Sequence, residues 1–240
     1  MADKKDVTRR STNSTNAMVD SFLGEARRLA PVAAGDSRPR LVFALDATMS
    51  RQPTWDLACK LQGDMFESTA KVGGINVQLV YFRGFDECRA SRWVAEPRAL
   101  RDLMTRIDCR GGHTQIGRVL RHVASESGRS PVKVLVYVGD AMEEPIDDIC
   151  AAAGQLGLLG VKAFMFQEGH DPVATGAFRE VSRLTAGAYA RFDARAPGVL
   201  ADLLKAAAVY ATGGIAGLTR LAERNGEARR LLTSMTGRSE

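Results

Sequence analysis

Three oxygen-bearing side chains recur at every second position of segment 46–50, where Asp46, Thr48 and Ser50 follow the apolar run Leu41–Leu45. A short apolar run of this kind is typical of a buried parallel strand. If the chain turns where the strand ends, the carboxylate and both hydroxyls converge on one point above the sheet. Hard oxygen ligands of which only one is charged suit a small divalent cation that keeps water or accepts a ligand from elsewhere. The segment therefore predicts a cation site.

Two later segments place further oxygen ligands at the same edge of the predicted sheet. Thr114 follows the paired glycines Gly111 and Gly112, which allow a close approach of the backbone or a positive φ. A second buried strand, Val132–Val138, is followed by the carboxylate of Asp140. Ligands of open α/β sheets collect at the carboxyl ends of the strands. We therefore expect Thr114 and Asp140 to join the first motif at one site.

The order of these motifs resembles the von Willebrand factor type A (VWA) domain over residues 38–212: Asp-x-Thr-x-Ser, a Thr after a glycine-rich loop, and an Asp after a later strand. The resemblance matches five residues to that family's metal-ion-dependent adhesion site, namely Asp46, Thr48, Ser50, Thr114 and Asp140. Thr48 stands where the family commonly has Ser, and it keeps the hydroxyl. The resemblance implies a bound Mg²⁺, in some members Mn²⁺ or Ca²⁺, with Thr48 and Ser50 as direct ligands.

The same resemblance implies a function in protein binding. In this family a carboxylate of a partner protein completes the coordination of the metal. The expectation for this chain is therefore an interaction module, an adaptor or substrate-recruiting subunit and not an enzyme. Its expected partner is a protein that offers an Asp or Glu. Intracellular members of the family work with AAA+ ATPase systems or occur with stress-response proteins, so both are expected classes of partner.

Strands and helices alternate along the chain, which predicts an α/β fold with a Rossmann-like, doubly wound, mostly parallel sheet. The predicted strands are 41–45, 75–82, 88–94, 132–138, 161–166 and 189–192, and the predicted helices are 54–72, 97–107, 114–127, 145–158, 174–185 and 197–211. The VWA resemblance implies that 88–94 is an antiparallel edge strand, and its polar sequence suits an edge.

Two appendages flank the predicted VWA domain of residues 38–212. Residues 1–37 divide into a polar, basic tail that is predicted to be disordered and an amphipathic helix over 16–29. Residues 213–240 carry a second amphipathic helical segment. Packing of this segment against the domain is the first expectation, and docking of a partner is the alternative.

Composition favours a cytoplasmic protein with reduced thiols. The 240 residues carry a net charge of +5; the start lacks the apolar core of a secretory signal, and no stretch is predicted to span a membrane. The four cysteines have no CxxC spacing, which predicts reduced thiols and neither a disulfide framework nor a zinc site. The basic excess lies mostly in the termini, and the expectation is solvated arginine on helix surfaces. Contact of the termini with nucleic acid or an acidic partner is the alternative, and the lack of interleaved aromatic residues disfavours nucleic acid.

A Mg²⁺-dependent phosphohydrolase resembling the haloacid dehalogenase family is the alternative function. There Asp46 would be the nucleophile, Thr114 the phosphate-binding hydroxyl and Lys133 the charge stabiliser. Asp140 and Glu144 would hold the metal. That family needs a second Asp, two residues after the first, as general acid and base, and Thr48 cannot replace it. Each site residue alone also suits a turn or a helix cap, so the metal prediction depends on all five occurring in order.

Loop residues near the predicted site carry weaker signals. His113 is expected at the rim and not as a ligand, because an oxygen-rich site favours hard cations over those that prefer imidazole. Phe85 and Met142 are interpreted as ordinary loop residues, and an apolar rim that faces a partner is the alternative.

Overall fold

A computed structural model describes residues 36–70, 74–193 and 195–237, in which six strands form one sheet of order β3-β2-β1-β4-β5-β6. The strands are β1 (Arg40–Asp46), β2 (Asn76–Arg83), β3 (Glu87–Val94), β4 (Val132–Gly139), β5 (Lys162–Glu168) and β6 (Ala188–Phe192). All neighbouring strands are parallel except β3, which pairs antiparallel with β2 at one edge. The predicted α/β fold with an antiparallel edge strand is therefore confirmed.

Seven α-helices lie in the described part of the chain, and they cover both faces of the sheet. They are α1 (Gln52–Ala70), α2 (Pro97–Met104), α3 (Ile116–Arg129), α4 (Ile146–Leu158), α5 (Pro172–Leu184), α6 (Pro197–Ala222) and α7 (Gly226–Thr236). Pro97, Pro172 and Pro197 each begin a helix, where the missing N–H has no partner to lose. Helix α3 begins at Ile116, two residues later than predicted.

The core has two layers because side chains alternate along the central strand. Leu41, Phe43 and Leu45 of β1 pack with residues of α1, α2, α6 and α7 on one face of the sheet. Val42 and Ala44 pack with residues of α3, α4 and α5 on the other face. Strand β1 is thus buried on both faces, as its continuous apolar sequence predicts. This rigid centre fixes where the loops after β1 and β4 stand.

The C-terminal region packs back onto the domain. Helix α6 continues to Ala222, past the predicted end, although Gly214 interrupts its helical backbone with φ 57° and ψ −154°. Helix α7 then starts at the Asn225 cap, and its residues Ala228 and Leu231 are buried in the same core layer as α6. By length and apolar composition α6 meets the requirement for a membrane span, and 39% of its most apolar stretch is buried in the domain. The amphipathic helix predicted over 16–29 lies outside the described residues.

Candidate metal site

Four of the five predicted metal ligands line one cavity at the carboxyl ends of β1 and β4. The cavity has a volume of about 220 Å³, and Asp46, Thr48, Thr114 and Asp140 are in its wall. The fifth residue, Ser50, belongs by its backbone to a 3₁₀ turn over Met49–Arg51 that follows Thr48 directly. Its side chain lies outside the described part of the structure. The sequence-based expectation of convergence therefore holds for the four residues whose side chains are described.

Asp46 is the buried centre of this cavity. Its Oδ1 accepts a hydrogen bond from the Thr48 backbone N–H at 2.8 Å, which turns the chain away from β1. Its Oδ2 is buried and has no hydrogen-bond partner among the described residues. Burial raises the pKa of Asp46 to about 6, and the nearby carboxylate of Asp140 adds to the rise, although the Thr48 bonds and Arg51 oppose it. A buried carboxylate oxygen without a partner is costly unless a cation or donor meets it.

Backbone hydrogen bonds hold the glycine-rich loop against the two loops beside it. The Arg110 N–H donates to the Ala47 carbonyl at 2.9 Å, and the His113 N–H donates to the Gly84 carbonyl at 3.1 Å. Gly112 stands so close to the turn after β2 that an added Cβ would lie 2.1 Å from the Gly84 oxygen. Of the two roles that the sequence predicts for the paired glycines, the structure shows the close approach of the backbone. This role belongs to Gly112 only.

Thr114 is held by a reciprocal pair of hydrogen bonds with Glu143 in the loop after β4. The Thr114 N–H donates to the Glu143 carboxylate at 2.9 Å, and the Glu143 N–H donates to the Thr114 hydroxyl oxygen at 2.9 Å. A hydroxyl oxygen has two lone pairs, so Thr114 keeps one for a further contact. These bonds explain why α3 begins at Ile116: the backbone and side chain of Thr114 are committed to the neighbouring loop. His113 lies at the exposed rim, where its Nδ1 is 3.3 Å from Glu143.

Glu144 has a structural role that the sequence did not predict. Its carboxylate accepts hydrogen bonds from the backbone N–H groups of Ile116 and Gly117, at 2.9 Å for Gly117. It therefore caps the first turn of α3 from the loop after β4, where a negative charge also meets the positive end of the helix. Burial raises its pKa, and the two backbone bonds oppose that rise. Through this cap the loops that carry Thr114 and Asp140 are tied at a second point.

Arg51 is a buried cation beside the cavity, and sequence reasoning missed it. Its side chain is only 2% exposed, and it forms an ion pair with Glu168 at the end of β5. Its guanidinium also lies 3.9 Å from the Asp140 carboxylate, and the Thr54 hydroxyl donates a hydrogen bond to Glu168. A positive charge thus lies behind the Asp140 carboxylate, beside the cavity. The signal available in the sequence was an Arg directly after the Asp-x-Thr-x-Ser motif.

The donor set fits a hard cation better than a zinc-like one. No group of three or more His, Cys, Asp or Glu side chains that could hold a metal lies within the residues that the structure describes. The cavity instead offers the carboxylates of Asp46 and Asp140 and the hydroxyl-bearing residues Thr48 and Thr114. A third carboxylate in its wall, that of Glu143, accepts the hydrogen bond from the Thr114 N–H. Oxygen donors of this kind suit Mg²⁺, Mn²⁺ or Ca²⁺. The buried Asp46 oxygen without a partner is the strongest local sign of fit, because a cation there would satisfy it.

The structure does not support the phosphohydrolase alternative. Lys133 lies near the start of β4 and is exposed, whereas Asp46 ends the parallel neighbour β1, so the two side chains lie at opposite ends of the sheet. Glu144, the second metal ligand of that scheme, caps α3 instead. Thr48 still stands where the general acid and base would be required.

Two exposed apolar side chains stand at the rim. Met49 lines the cavity and is 66% exposed, and Phe85 is 73% exposed and contacts the His113 ring edge-on, with centroids 5.1 Å apart. Met142, the other apolar residue considered from the sequence, packs partly against the core layer of α3, α4 and α5. Met49 and Phe85 therefore give the rim exposed apolar surface, which was the alternative interpretation of Phe85, whereas Met142 is partly buried.

Comparison of structures identifies the fold. A von Willebrand factor type A protein from Catenulispora acidiphila superposes with a TM-score of 0.59 over 74% of this chain and 43% of its own, at 18% identity. The SpRpn10 VWA domain superposes with a TM-score of 0.54 and 10% sequence identity, and the match covers 70% of this chain and 94% of that domain's chain. The chain has the VWA fold.

A third match is the pilus adhesin SpaC from Lactobacillus rhamnosus GG, with a TM-score of 0.52 over 74% of this chain and 31% of its own, at 12% identity. The chain thus spans less than half of the Catenulispora protein and of the adhesin, and nearly all of the SpRpn10 domain. In sequence, no protein-family model and no curated protein matches it. These likenesses concern the fold.

Proposed function

We propose that this chain is a metal-dependent protein-interaction module. Asp46, Thr48, Ser50, Thr114 and Asp140 would hold Mg²⁺, or Mn²⁺ or Ca²⁺ in its place, and an Asp or Glu of a partner protein would complete the coordination. The observation that carries the proposal is the buried Asp46 Oδ2, which has no partner among the described residues. It belongs to a cavity lined by four further residues with oxygen-bearing side chains, namely Thr48, Thr114, Asp140 and Glu143. The bound cation would supply a Lewis-acidic attachment point for a carboxylate.

The rest of the cavity's surroundings suits the binding of a partner protein. Each loop around it is tied by backbone or carboxylate hydrogen bonds, which pre-organises the ligands. The exposed Met49 and Phe85 give a partner apolar area beside the charged contact, as interfaces commonly combine the two. The adhesin with the same fold is named for attachment, which agrees with a binding role. We propose that the partner is a protein with an acidic residue, of the AAA+ or stress-response classes, encountered in the cytoplasm.

Affinity capture from native lysate tests this proposal. The purified chain is used as bait in Mg²⁺ and again in EDTA, and captured proteins are identified by mass spectrometry. Thr114→Val removes the hydroxyl with little change in shape, Thr114→Ser restores a hydroxyl, and Thr105→Val is the control at an exposed threonine of the α2 C-cap. We expect a Mg²⁺-dependent partner that Thr114→Val loses, and that Thr114→Ser and Thr105→Val retain.

Two outcomes would contradict the proposed function. Capture that is equal in Mg²⁺ and EDTA would show that the partner does not need the cation. Steady hydrolysis of a generic phosphoester by the pure chain, abolished by Asp46→Asn, would show that the site is catalytic.

A further inference from the structure

A second cleft lies at the opposite side of the domain from β3, along the outer edge of β6. Within the described residues β6 pairs with β5 alone, so the backbone N–H and C=O groups along its other edge are not hydrogen-bonded to a neighbouring strand. The cleft has a volume of about 670 Å³ and runs between α5 and α7, with Tyr189, Ala190 and Arg191 of β6 in its lining. A volume of this size accommodates a short peptide or a small-molecule ligand.

The lining of this cleft is strongly basic. Arg179 and Arg183 come from α5, Arg191 from β6 and Arg230 from α7, and none of the described residues in the lining is acidic. Two of these arginines have partners on their own helix: Arg183 pairs with Glu180 at 2.6 Å, and Arg230 pairs with a Glu one turn earlier at 2.7 Å. Ion pairs at the protein surface contribute little to stability. Four cations against two flanking carboxylates leave a net positive cleft.

Two further features show that the cleft is preformed and polar. The Arg179 guanidinium lies over the Tyr189 ring, 5.2 Å from its centroid, and the Tyr189 hydroxyl donates to Gln167 at 2.7 Å. Ser182 is only 5% exposed and lines the cleft, and its hydroxyl is buried without a hydrogen-bond partner among the described residues. A buried hydroxyl of this kind is satisfied when a polar ligand or water enters.

We propose that this cleft binds an extended acidic peptide segment, which adds to the open edge of β6 as a further strand. Main-chain hydrogen bonds to the edge would supply affinity, and carboxylates of the segment would meet the arginines. Side chains of an added strand alternate between the two faces of the sheet. Arginines lie on both faces of the sheet, where they can contact these side chains. Arg191 and Arg179 lie on the α5 side, and Arg230 lies on the α7 side.

The same features argue against a nucleic acid as the occupant. Single-stranded nucleic acids are held by aromatic rings on which bases stack. The one aromatic residue in the described lining, Tyr189, already carries Arg179 over its ring. A strand edge at the floor of the cleft, in contrast, recognises the regular backbone of a peptide.

This site is independent of the metal-dependent function proposed above. The metal cavity is built at the ends of β1 and β4, and β5 separates β4 from β6 in the sheet. Binding in the β6 cleft should therefore persist in EDTA. A single chain would then hold two protein segments, one through the cation and one through the sheet edge.

Fluorescence anisotropy with the full chain in EDTA tests this proposal. The probe is a fluorescein-labelled octapeptide of repeated Glu-Glu-Val-Val, which places carboxylates on both faces of an added strand. The double variant Arg191→Gln/Arg230→Gln is compared with Arg220→Gln/Arg224→Gln. All four arginines are exposed, and the control pair lies outside the cleft. We expect saturable binding that weakens at least tenfold in the first variant and less than twofold in the control. Equal affinity of the two variants would overturn the assignment of the site.

A second arm separates strand addition from simple charge attraction on the unaltered chain. The same octapeptide is prepared with N-methyl groups at alternate residues, which removes backbone donors and keeps every carboxylate. We expect the methylated peptide to lose binding, and binding equal to that of the parent peptide would refute strand addition. Pyrophosphate and a DNA duplex are also tested as ligands. If either binds more tightly than the acidic peptide, and Arg191→Gln/Arg230→Gln abolishes that binding, the cleft is a phosphate site and the proposed ligand is refuted.

Discussion

Adding one methyl group at Gly112, and not at Gly111, should disrupt the candidate metal site. A Cβ on Gly112 would lie 2.1 Å from the Gly84 carbonyl oxygen and 2.4 Å from the Gly84 nitrogen and carbon, all of them backbone atoms. Since such atoms rarely approach within about 3.0 Å, the two loops must separate by at least 3.0 − 2.1 = 0.9 Å. A Cβ on Gly111 meets no atom within 4 Å. The neighbouring glycine is therefore a matched control.

The expected cost of Gly112→Ala follows from what the separation breaks. Overpacking of this kind costs about 1–3 kcal/mol. The hydrogen bond from the His113 N–H to the Gly84 oxygen, 3.1 Å long, would stretch beyond its normal range and cost about 1 kcal/mol more. We expect the free energy of unfolding to fall by about 2–4 kcal/mol for Gly112→Ala, and to change by about 0.5 kcal/mol or less for Gly111→Ala.

Urea denaturation with and without Mg²⁺ measures both effects. Thr114 follows Gly112 by two residues, so displacement of the loop should also weaken the stabilisation that Mg²⁺ gives to the parent protein. We expect Gly111→Ala to keep that stabilisation. The reasoning about close approach is refuted if Gly112→Ala and Gly111→Ala have the same stability. A less stable Gly112→Ala protein that keeps the full Mg²⁺ response would show that the contact supports the fold and does not position the ligands.

Three further predictions concern buried polar groups. Glu168→Gln should lower the free energy of unfolding by about 3 kcal/mol, because it leaves the Arg51 guanidinium, in a side chain only 2% exposed, without its main partner. Arg51→Met removes that charge and should cost less. Urea denaturation that shows the reverse order would contradict this prediction. Tyr137→Phe should raise the free energy of unfolding by about 1 kcal/mol, since the Tyr137 hydroxyl is buried with no hydrogen-bond partner among the described residues. A lower stability of this variant would contradict the prediction and show that the hydroxyl has a partner. Burial lowers the pKa of His122 from 6.5, so the stability that neutral His122 contributes is present above pH 6.5 and lost as the pH falls through the lowered value. An NMR titration that returns a folded-state pKa of 6.5 or higher would refute this last prediction.

Alternation of strand and helix was enough to predict the sheet, because the apolar runs of β1 and β4 are buried on both faces. The convergence of Asp46, Thr114 and Asp140 was also predictable, since carboxyl ends of parallel strands meet at one edge. These inferences depend on local patterns and on a general rule of sheet geometry.

Other features depend on contacts between distant residues, which a single sequence does not reveal. Arg51 is buried only because Glu168, 117 residues later, receives its charge. Glu144 lies in a loop 27 residues beyond Gly117 and caps the first turn of α3. The residue that the phosphohydrolase alternative treats as a metal ligand thus caps a helix. The start of α3 at Ile116 follows from the same loop. The basic cleft at β6 likewise combines arginines that are far apart in sequence.

Direct titration of Mn²⁺ by electron paramagnetic resonance tests the central claim, because the signal of free Mn²⁺ falls as the ion binds. The account predicts one saturable site per chain, from which Mg²⁺ displaces Mn²⁺. Thr114→Val should abolish binding and Thr105→Val should preserve it. Absence of saturable binding at millimolar Mn²⁺, or equal binding by Thr114→Val and Thr105→Val, would contradict the claim that this cavity is a metal site.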